Sequence, residues 1–209
     1  MSDNNYNYLS QSCYKEVVNV SVDRVYDACS DKDCFEDLQV YFTDCVQPLI
    51  NQAISVKFKK AEVANVLVNV ESIAYNNGFF AVDITIFFRV YLDVFTSIGG
   101  RPMSVEGLAI VNKKVILYGS EGESMSFTST SCGCNSDTIS SSNMPKATVE
   151  LVDPIALSAR IVDICDRNCC NPCYDPCSAC GCGNIPSGVA SQFQGNFVDP
   201  DQGKMVLVT

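Results

Sequence analysis

The feature that most constrains the fold of this chain is a strict two-residue alternation between Phe79 and Phe95. Apolar side chains occupy every even position of this run, and charged or hydroxyl side chains, mixed with aromatics, occupy the odd ones. A period of two places alternate residues on opposite faces of a β-strand, whereas an amphipathic helix would need a period of 3.6. At roughly 3.3 Å per residue the run would span over ~50 Å, so we expect a bend or a bulge. The predicted buried face consists of Phe80, Val82, Ile84, Ile86, Phe88, Val90, Leu92 and Val94.

A second alternating run, Glu62–Ile73, precedes the first and is separated from it by Asn77-Gly78. Asn-Gly between two alternating runs is a strong signal for a β-hairpin. The residues of this run that we expect to share a face are Ala64, Val66, Val68 and Val70.

Several other short runs predict the remaining strands. They are Val18–Val22, Leu38–Phe42, Ile54–Phe58, Ser104–Tyr118 (one strand interrupted at Lys113 and Lys114, or a pair), Ser124–Thr128, Thr148–Val152 and Ile155–Ile164. Only Gln47–Ile54 resembles a helix, and Pro48 limits it to a short one. Many short strands with Gly, Asn and Pro turns predict an all-β fold, an antiparallel β-sandwich or jelly roll.

Changes in composition divide the 209 residues into four parts. We predict a flexible N-terminal arm over residues 1–16, a β-sandwich domain over 17–164, a cysteine-rich segment over 165–183 and a C-terminal tail over 184–209. The tail ends in the β-prone run Lys204–Thr209, for which the sequence shows no local partner.

Charge and composition exclude several classes of function. The 14 Lys and Arg against 24 Asp and Glu give a net charge of −10, which repels phosphate backbones and argues against nucleic-acid binding. The chain has no histidine, so Ser-His-Asp or Cys-His catalysis and histidine-ligated metals are excluded. No other catalytic constellation emerges, and we predict that the protein is not an enzyme and needs no cofactor.

The sequence also predicts a protein without an export signal or a membrane span. Met1–Ser12 is polar and has neither a basic region nor an apolar core. No apolar run reaches the roughly 18 residues that a spanning helix needs. The many cysteines therefore either bind metal or become oxidised later without secretion, since cytosolic thiols are normally kept reduced.

The thirteen cysteines favour disulfide cross-linking over any reaction. An odd number leaves at least one thiol without a partner in its own chain, and the adjacent Cys169 and Cys170 can hardly pair with each other without strain. We expect a local staple between Cys29 and Cys34, and a structural link rather than a redox pair at Cys132 and Cys134. The full set of candidates is Cys13, Cys29, Cys34, Cys45, Cys132, Cys134, Cys165, Cys169, Cys170, Cys173, Cys177, Cys180 and Cys182.

A thiolate metal site is the alternative interpretation of the cysteine-rich segment. Cys170 and Cys173, with Cys177 and Cys180, form two pairs that could hold one zinc ion or a metal cluster. Zinc ribbons, however, separate such pairs by about 15–20 residues, and here only three intervene. Disulfides remain the favoured interpretation.

Acidic residues are concentrated between Asp27 and Asp44 and could collect a hard cation such as calcium. They are Asp27, Asp31, Asp33, Glu36, Asp37 and Asp44. Their spacing does not match an EF-hand loop, so we favour a solvated acidic turn.

Three segments resemble a family of cysteine-rich proteins linked to the spore surface of spore-forming clostridia. They are Val17–Phe42, Lys59–Phe95 and Asn112–Gly122, about half of the chain. In plan, a β-sandwich with cysteine-bearing arms is also similar to the disulfide-linked appendages of bacillus endospores. The resemblance implies assembly in the mother-cell cytoplasm without a signal peptide and oxidation as the spore layers mature.

The sequence thus predicts a self-assembling, disulfide-linked structural protein of the spore coat, exosporium or an appendage. Its expected partners are other copies of itself, in a fibre or sheet, and other spore-layer proteins. We expect the joints at both ends of the chain: the arm that carries Cys13, and a strand Met205–Val208 donated to a neighbour's sheet edge.

Overall fold

The computed structural model describes residues 18, 20, 22–120, 144–164, 185–199 and 203–209. These residues confirm the predicted all-β, antiparallel class. The elements are β1 (Leu38–Thr43), α1 (Gln47–Asn51), β2 (Ser55–Ser72), β3 (Phe79–Phe95), β4 (Met103–Tyr118), β5 (Ala159–Ile164), α2 (Ser187–Ala190), β6 (Phe197–Val198) and β7 (Gly203–Val208). The short helix α1 begins where Pro48 allowed it, with proline in its first turn.

The strands follow one hydrogen-bonded order, β2-β3-β4-β1-β7-β5, with β6 added beside β1. Every pair in this order is antiparallel. The two strands at the ends of the order, β2 and β5, also lie against each other. The sheet therefore curls until its first and last strands meet.

The hairpin of β2 and β3 confirms the Asn77-Gly78 prediction, but the register of β3 shows no bulge of the kind expected within Phe79–Phe95. Two breaks in register leave Lys59 and Ala64 as extra residues of β2, while β3 is continuous. Each bulge reverses which residues face inward. Strict alternation back from Val66 would turn Glu62 and Lys60 toward the core, whereas the bulges place Val63 beside Phe88 instead.

The predicted buried face of β3 is confirmed, because its even positions are buried or half-buried throughout. The predicted shared face of β2 is right for Val66 and Val70, which pack with the interior of β3. It is wrong for Ala64, which packs on the opposite side of the sheet with Phe87. The bulge at Ala64 is the physical reason, because it interrupts the period of two.

The interior has two parts, and Phe88 packs against both. One cluster includes the fully buried Leu92, Val94 and Val206, and we call the part of the sheet around it the proximal half. Six strands contribute to this cluster: β1, β2, β3, β4, β5 and β7. The second cluster marks the distal half, in which the described strands are β2, β3 and β4 and in which Ala147 and Val149 cover their inner face. On the outer face, residues 185–197 cover Phe87 and Leu108.

The C-terminal strand, which we expected to be donated to a neighbour's sheet edge, pairs within its own chain instead. β7 lies between β1 and β5, and its Val206, Leu207 and Val208 are buried. Gln47 Nε2 donates to the Lys204 carbonyl at 2.9 Å, and Lys204 Nζ donates to the Ala53 carbonyl at 2.7 Å. The pairing joins residues that are far apart in sequence, so no local pattern revealed it.

Other predicted strands differ from the structure. Val18, Val20 and Val22 are exposed and belong to no strand, and residues 148–152 are extended without strand pairing. The predicted Ile155–Ile164 strand begins only at Ala159, and Ser104–Tyr118 belongs to the single strand β4. Ser124–Thr128 lies outside the described residues.

Candidate assembly surface

The structure places three of the thirteen cysteines, and all three are exposed. Cys29, Cys34 and Cys45 are free thiols, so the local staple predicted between Cys29 and Cys34 is not formed in the structure. The remaining candidates, including the four of the alternative metal site, lie outside the described residues: Cys13, Cys132, Cys134, Cys165, Cys169, Cys170, Cys173, Cys177, Cys180 and Cys182.

Cys29 and Cys34 lie on an extended stretch, residues 26–37, which we call the acidic segment. Side chains hold it against β4: Asp27 Oδ2 accepts a hydrogen bond from the Tyr118 N–H at 3.0 Å. The rings of Tyr26 and Tyr118 meet edge to face, 6.4 Å between centroids. Further along the segment, Asp31 contacts Lys113, which precedes Tyr118 on β4. The segment and β4 therefore run antiparallel.

Lys113 is the second anchor of the acidic segment. Its Nζ lies 2.6 Å from Asp31 Oδ2 and also contacts Asp33. The hydrogen bonds that Lys113 donates to Asp31 and Asp33 raise the pKa of Lys113, and the one to Asp31 lowers the pKa of Asp31 with help from the Lys32 N–H. Both shifts favour the charged pair.

A third anchor closes the segment where β1 begins. Arg160 Nη2 lies 2.7 Å from Asp37 Oδ2, and Arg160 Nε donates to Asp37 Oδ1 at 3.0 Å. This is a bidentate arginine–carboxylate pair, which is geometrically specific. This ion pair joins Asp37, the residue before β1, to Arg160 in β5.

These contacts revise the interpretation of the acidic cluster. Within the part of the chain that the structure describes, no three potential metal ligands come together. Asp27, Asp31, Asp33 and Asp37 lie along the acidic segment and engage cations or a backbone N–H group, rather than clustering in one turn. Sequence reasoning took Lys113 as an interruption in a strand and so missed its role as an anchor.

Cys45 occupies a different environment, in the turn after β1. The Asp44 side chain accepts a hydrogen bond from the thiol, and this bond, with the carboxylate's charge and some burial, raises the pKa of Cys45. Asp44 is itself held by the Asn196 N–H at 3.2 Å. Gly195 has φ +91°, and a Cβ there would come within 2.2 Å of Asp44 Oδ1, so this approach requires glycine.

The distal half also presents a sheet edge along β2. Asn65 Oδ1 accepts from the Val66 N–H at 2.8 Å, so this amide points away from β3. Alternate residues of an antiparallel strand direct their backbone groups to the same side. Val68, Val70 and Ser72 therefore present their N–H and C=O groups to this outer edge, where Val68 and Ser72 are exposed.

In the proximal half, by contrast, the same edge of β2 is covered. The Val63 N–H donates to Asp153 Oδ1 at 3.0 Å, and β5 lies against β2. The exposed edge thus begins after Val63.

A shallow polar depression of about 270 Å³ lies on the distal half of β3 and β4. Its polar side chains pair with each other: Lys114 lies 3.2 Å from Asp83, and Thr85 donates to Asn112 at 2.9 Å. The lining contains no thiol to act as a nucleophile, and its carboxylate already pairs with a lysine.

Arg89 fastens the outer covering layer to the sheet. Its guanidinium lies 4.8 Å from the centre of the Phe193 ring, and Nη2 donates to Gln192 Oε1 at 2.9 Å. The sequence marked Arg89 only as a polar residue on the odd face of β3. Its partner segment lies a hundred residues further along the chain, so no local signal identified the contact.

In comparisons with known proteins, no family model, no curated protein and no solved structure matches the chain. Among the described residues, no helix has the length and apolar character needed to cross a membrane.

Proposed function

We propose that this protein is a self-assembling structural subunit of the bacterial spore surface, cross-linked by disulfides between copies. The observation that carries the proposal is the position of Cys29 and Cys34. Both are exposed, free thiols on an extended segment at the surface of a folded β-domain. Exposed thiols on an anchored segment are available to thiols of a neighbouring molecule, which suits cross-linking after assembly.

The charge and the sheet support the same function. Among the described residues, no strand pairs with the distal edge of β2, so another chain can add there. The net charge of −10 keeps separate copies soluble until specific contacts form. The spore-surface location rests on the resemblance of Val17–Phe42, Lys59–Phe95 and Asn112–Gly122 to spore-surface proteins, and we propose assembly in the mother-cell cytoplasm followed by oxidation.

The proposal is tested by oxidation of protein that has been purified in reductant. Removing the reductant should give species larger than a dimer on non-reducing gels and ordered assemblies in electron micrographs, and reductant should dissociate the covalent species. The Cys29→Ser, Cys34→Ser double variant should lose most of the cross-linked species. Cys45→Ser is the matched control, because Cys45 is equally a described, exposed thiol but lies away from the acidic segment.

A chain that remains monomeric after oxidation would contradict the proposal. The alternative function is that of a thiolate metal-binding protein. Metal analysis of protein purified without air tests it, because one zinc ion or a cluster per chain would favour this alternative. Antibodies against the chain should label the surface of intact spores, and labelling confined to vegetative cells would reject the location.

A further inference from the structure

Four valines near the start of the described chain are largely exposed. The side chains of Val18, Val20, Val22 and Val25 are between 76 and 83% exposed. We call residues 18–25 the valine segment. Its alternation predicts a strand, and burying each valine would be favourable by about 1.5–3 kcal/mol. Four exposed valines in a β-prone segment indicate that its sheet partner lies elsewhere.

The valine segment begins where its own sheet edge ends. The acidic segment runs antiparallel along β4, from Lys113 to the last residue of that strand, Tyr118, which contacts Asp27. β4 therefore does not extend beside Val22 and Val25. Within the described residues, a sheet contact for the valine segment would have to come from another edge.

The distal edge of β2 has the pattern that the valine segment requires. Its Val66, Val68 and Val70 share the inner face of the sheet, and Val68 is 38% exposed. A strand added here with valine at every second position would continue this face and cover Val68. Among the described residues, Asp153 covers this edge at Val63, the Val66 N–H bonds Asn65 Oδ1, and no strand pairs with the edge at Val68 and Val70.

We propose that the valine segment of one copy adds as an antiparallel strand to the distal edge of β2 in a second copy. The inference rests on the proposed function and names its non-covalent joint. In the register that places Val20 beside Val68, Val18 and Val22 lie beside Val70 and Val66.

The charges decide the direction of the added strand. In the antiparallel register, Asp23 lies opposite Asn65, whereas a parallel strand in the same position would set Asp23 beside Glu71. Like charges directly opposite each other in a sheet are destabilising. The antiparallel arrangement avoids that pair.

The contact is heterologous, because the donating segment and the accepting edge are different surfaces. Such a contact repeats from copy to copy and gives open chains unless the rotation closes a ring. Cys13 precedes the valine segment in sequence and Cys29 follows it. Thiols on both sides would allow a disulfide to secure the joint after strand addition.

The test uses two proline variants of the full chain. Val20→Pro removes a backbone N–H from the donating segment. Val68→Pro removes an N–H that points to the free edge, so the hydrogen bonds between β2 and β3 are kept, as for edge-strand prolines generally. Val152→Pro is the control, because Val152 is 89% exposed and outside every described strand. Val68→Lys is a second edge variant in case proline disturbs folding, which circular dichroism would reveal.

Assembly is measured by sedimentation after removal of reductant. Wild type and Val152→Pro should form long assemblies, whereas Val20→Pro and either Val68 variant alone should not. An equimolar mixture of Val20→Pro and Val68→Pro should stop at a dimer, because one chain supplies the only working donor and the other the only working edge.

Assemblies of wild-type size from Val20→Pro, or from both edge variants, would overturn the inference and leave the proposed function standing. A mixture that extends beyond the dimer would also overturn the inference. A wild-type chain that does not assemble at all would overturn both.

Discussion

The proximal and distal halves of the sheet share three strands yet differ in what lies beyond their edges. In the proximal half, β7 fills the gap between β1 and β5, and β5 returns to β2. In the distal half, side chains of the acidic segment hold the edge of β4, and the edge of β2 is exposed. The same apolar alternation therefore builds a closed core at one end and an edge available to a partner at the other.

The largest expected effect comes from removing the strand that closes the proximal half. Deleting Gly203–Thr209 removes the buried Val206, Leu207 and Val208. At about 1.5–3 kcal/mol for each large side chain, the loss is about 5–9 kcal/mol, comparable with the whole stability of a domain. We expect no cooperative thermal unfolding transition for this variant by circular dichroism.

Deleting residues 18–25 is the matched comparison. These residues contribute four exposed valines and no described strand, so the unfolding transition should be retained. A folded protein without Gly203–Thr209 would mean that β7 is not required by the proximal half.

The second prediction concerns the bulge that separates the two halves. Deleting Ala64 removes an extra residue of β2, so the valines on one side of it must turn outward or re-form a bulge elsewhere. We expect a loss of about 2–5 kcal/mol in the free energy of unfolding, from one or two misplaced apolar side chains. Ala64→Gly keeps the residue count and should cost clearly less in denaturant titrations. Equal losses of unfolding free energy in the two variants would indicate that the bulge does not determine which residues of β2 face the interior.

The sequence predicted the parts of this comparison that depend on local pattern. The alternation of Phe80–Val94 gave the buried face, and Asn77-Gly78 gave the hairpin. The bulges were missed, although Lys60 and Glu62 fall in phase with the inward valines, because the positions of the extra residues are defined only by the pairing with β3. The partner of β7 was missed because strand pairing over long sequence separations leaves no local signal. At the candidate site, the cysteines were identified, but the carboxylates' use as anchors depended on cations far along the chain.

The third prediction weakens the attachment of the acidic segment without affecting the core. Lys113→Met removes the ammonium that holds Asp31 and Asp33. Tryptic cleavage after Lys32 should become several times faster, while the unfolding temperature changes little, since exposed ion pairs contribute little to stability. Lys114→Met is the control, because its ammonium pairs with Asp83 instead. Equal cleavage rates in both variants would exclude Lys113 as the anchor.

The same attachment should depend on pH at both extremes. Because the pKa of Asp31 is lowered, its contribution to holding the acidic segment is present above the ordinary carboxyl pKa of about 3.9. This contribution is lost as the pH falls through the lowered pKa. Because the pKa of Lys113 is raised, its contribution to holding the acidic segment is present below the ordinary lysine pKa of about 10.4. This contribution is lost as the pH rises through the raised pKa. The ring contact of Tyr26 with Tyr118, followed by NMR, should persist between these limits. Loss of that contact near neutral pH would contradict the assignment.

The smallest expected effect concerns the thiol that lies away from the acidic segment. Asp44→Asn weakens the hydrogen bond that the thiol donates and removes the negative charge, and these two effects of Asp44 raise the pKa of Cys45. Because the thiolate is the reactive form, alkylation of Cys45 at pH 8 should become a few times faster. Peptide mass spectrometry measures the rate, and an unchanged or slower rate would contradict the role of Asp44.

Hydrogen exchange, compared between monomer and assembly, tests the central claim most directly. In the reduced monomer, amides of β1 and β7 should exchange slowly, and the edge amides of Val68, Val70 and Ser72 should exchange quickly. On assembly, those edge amides and the valine segment should become protected together, while the proximal half is unchanged. An assembled protein in which the distal edge of β2 still exchanges as fast as in the monomer would contradict the account.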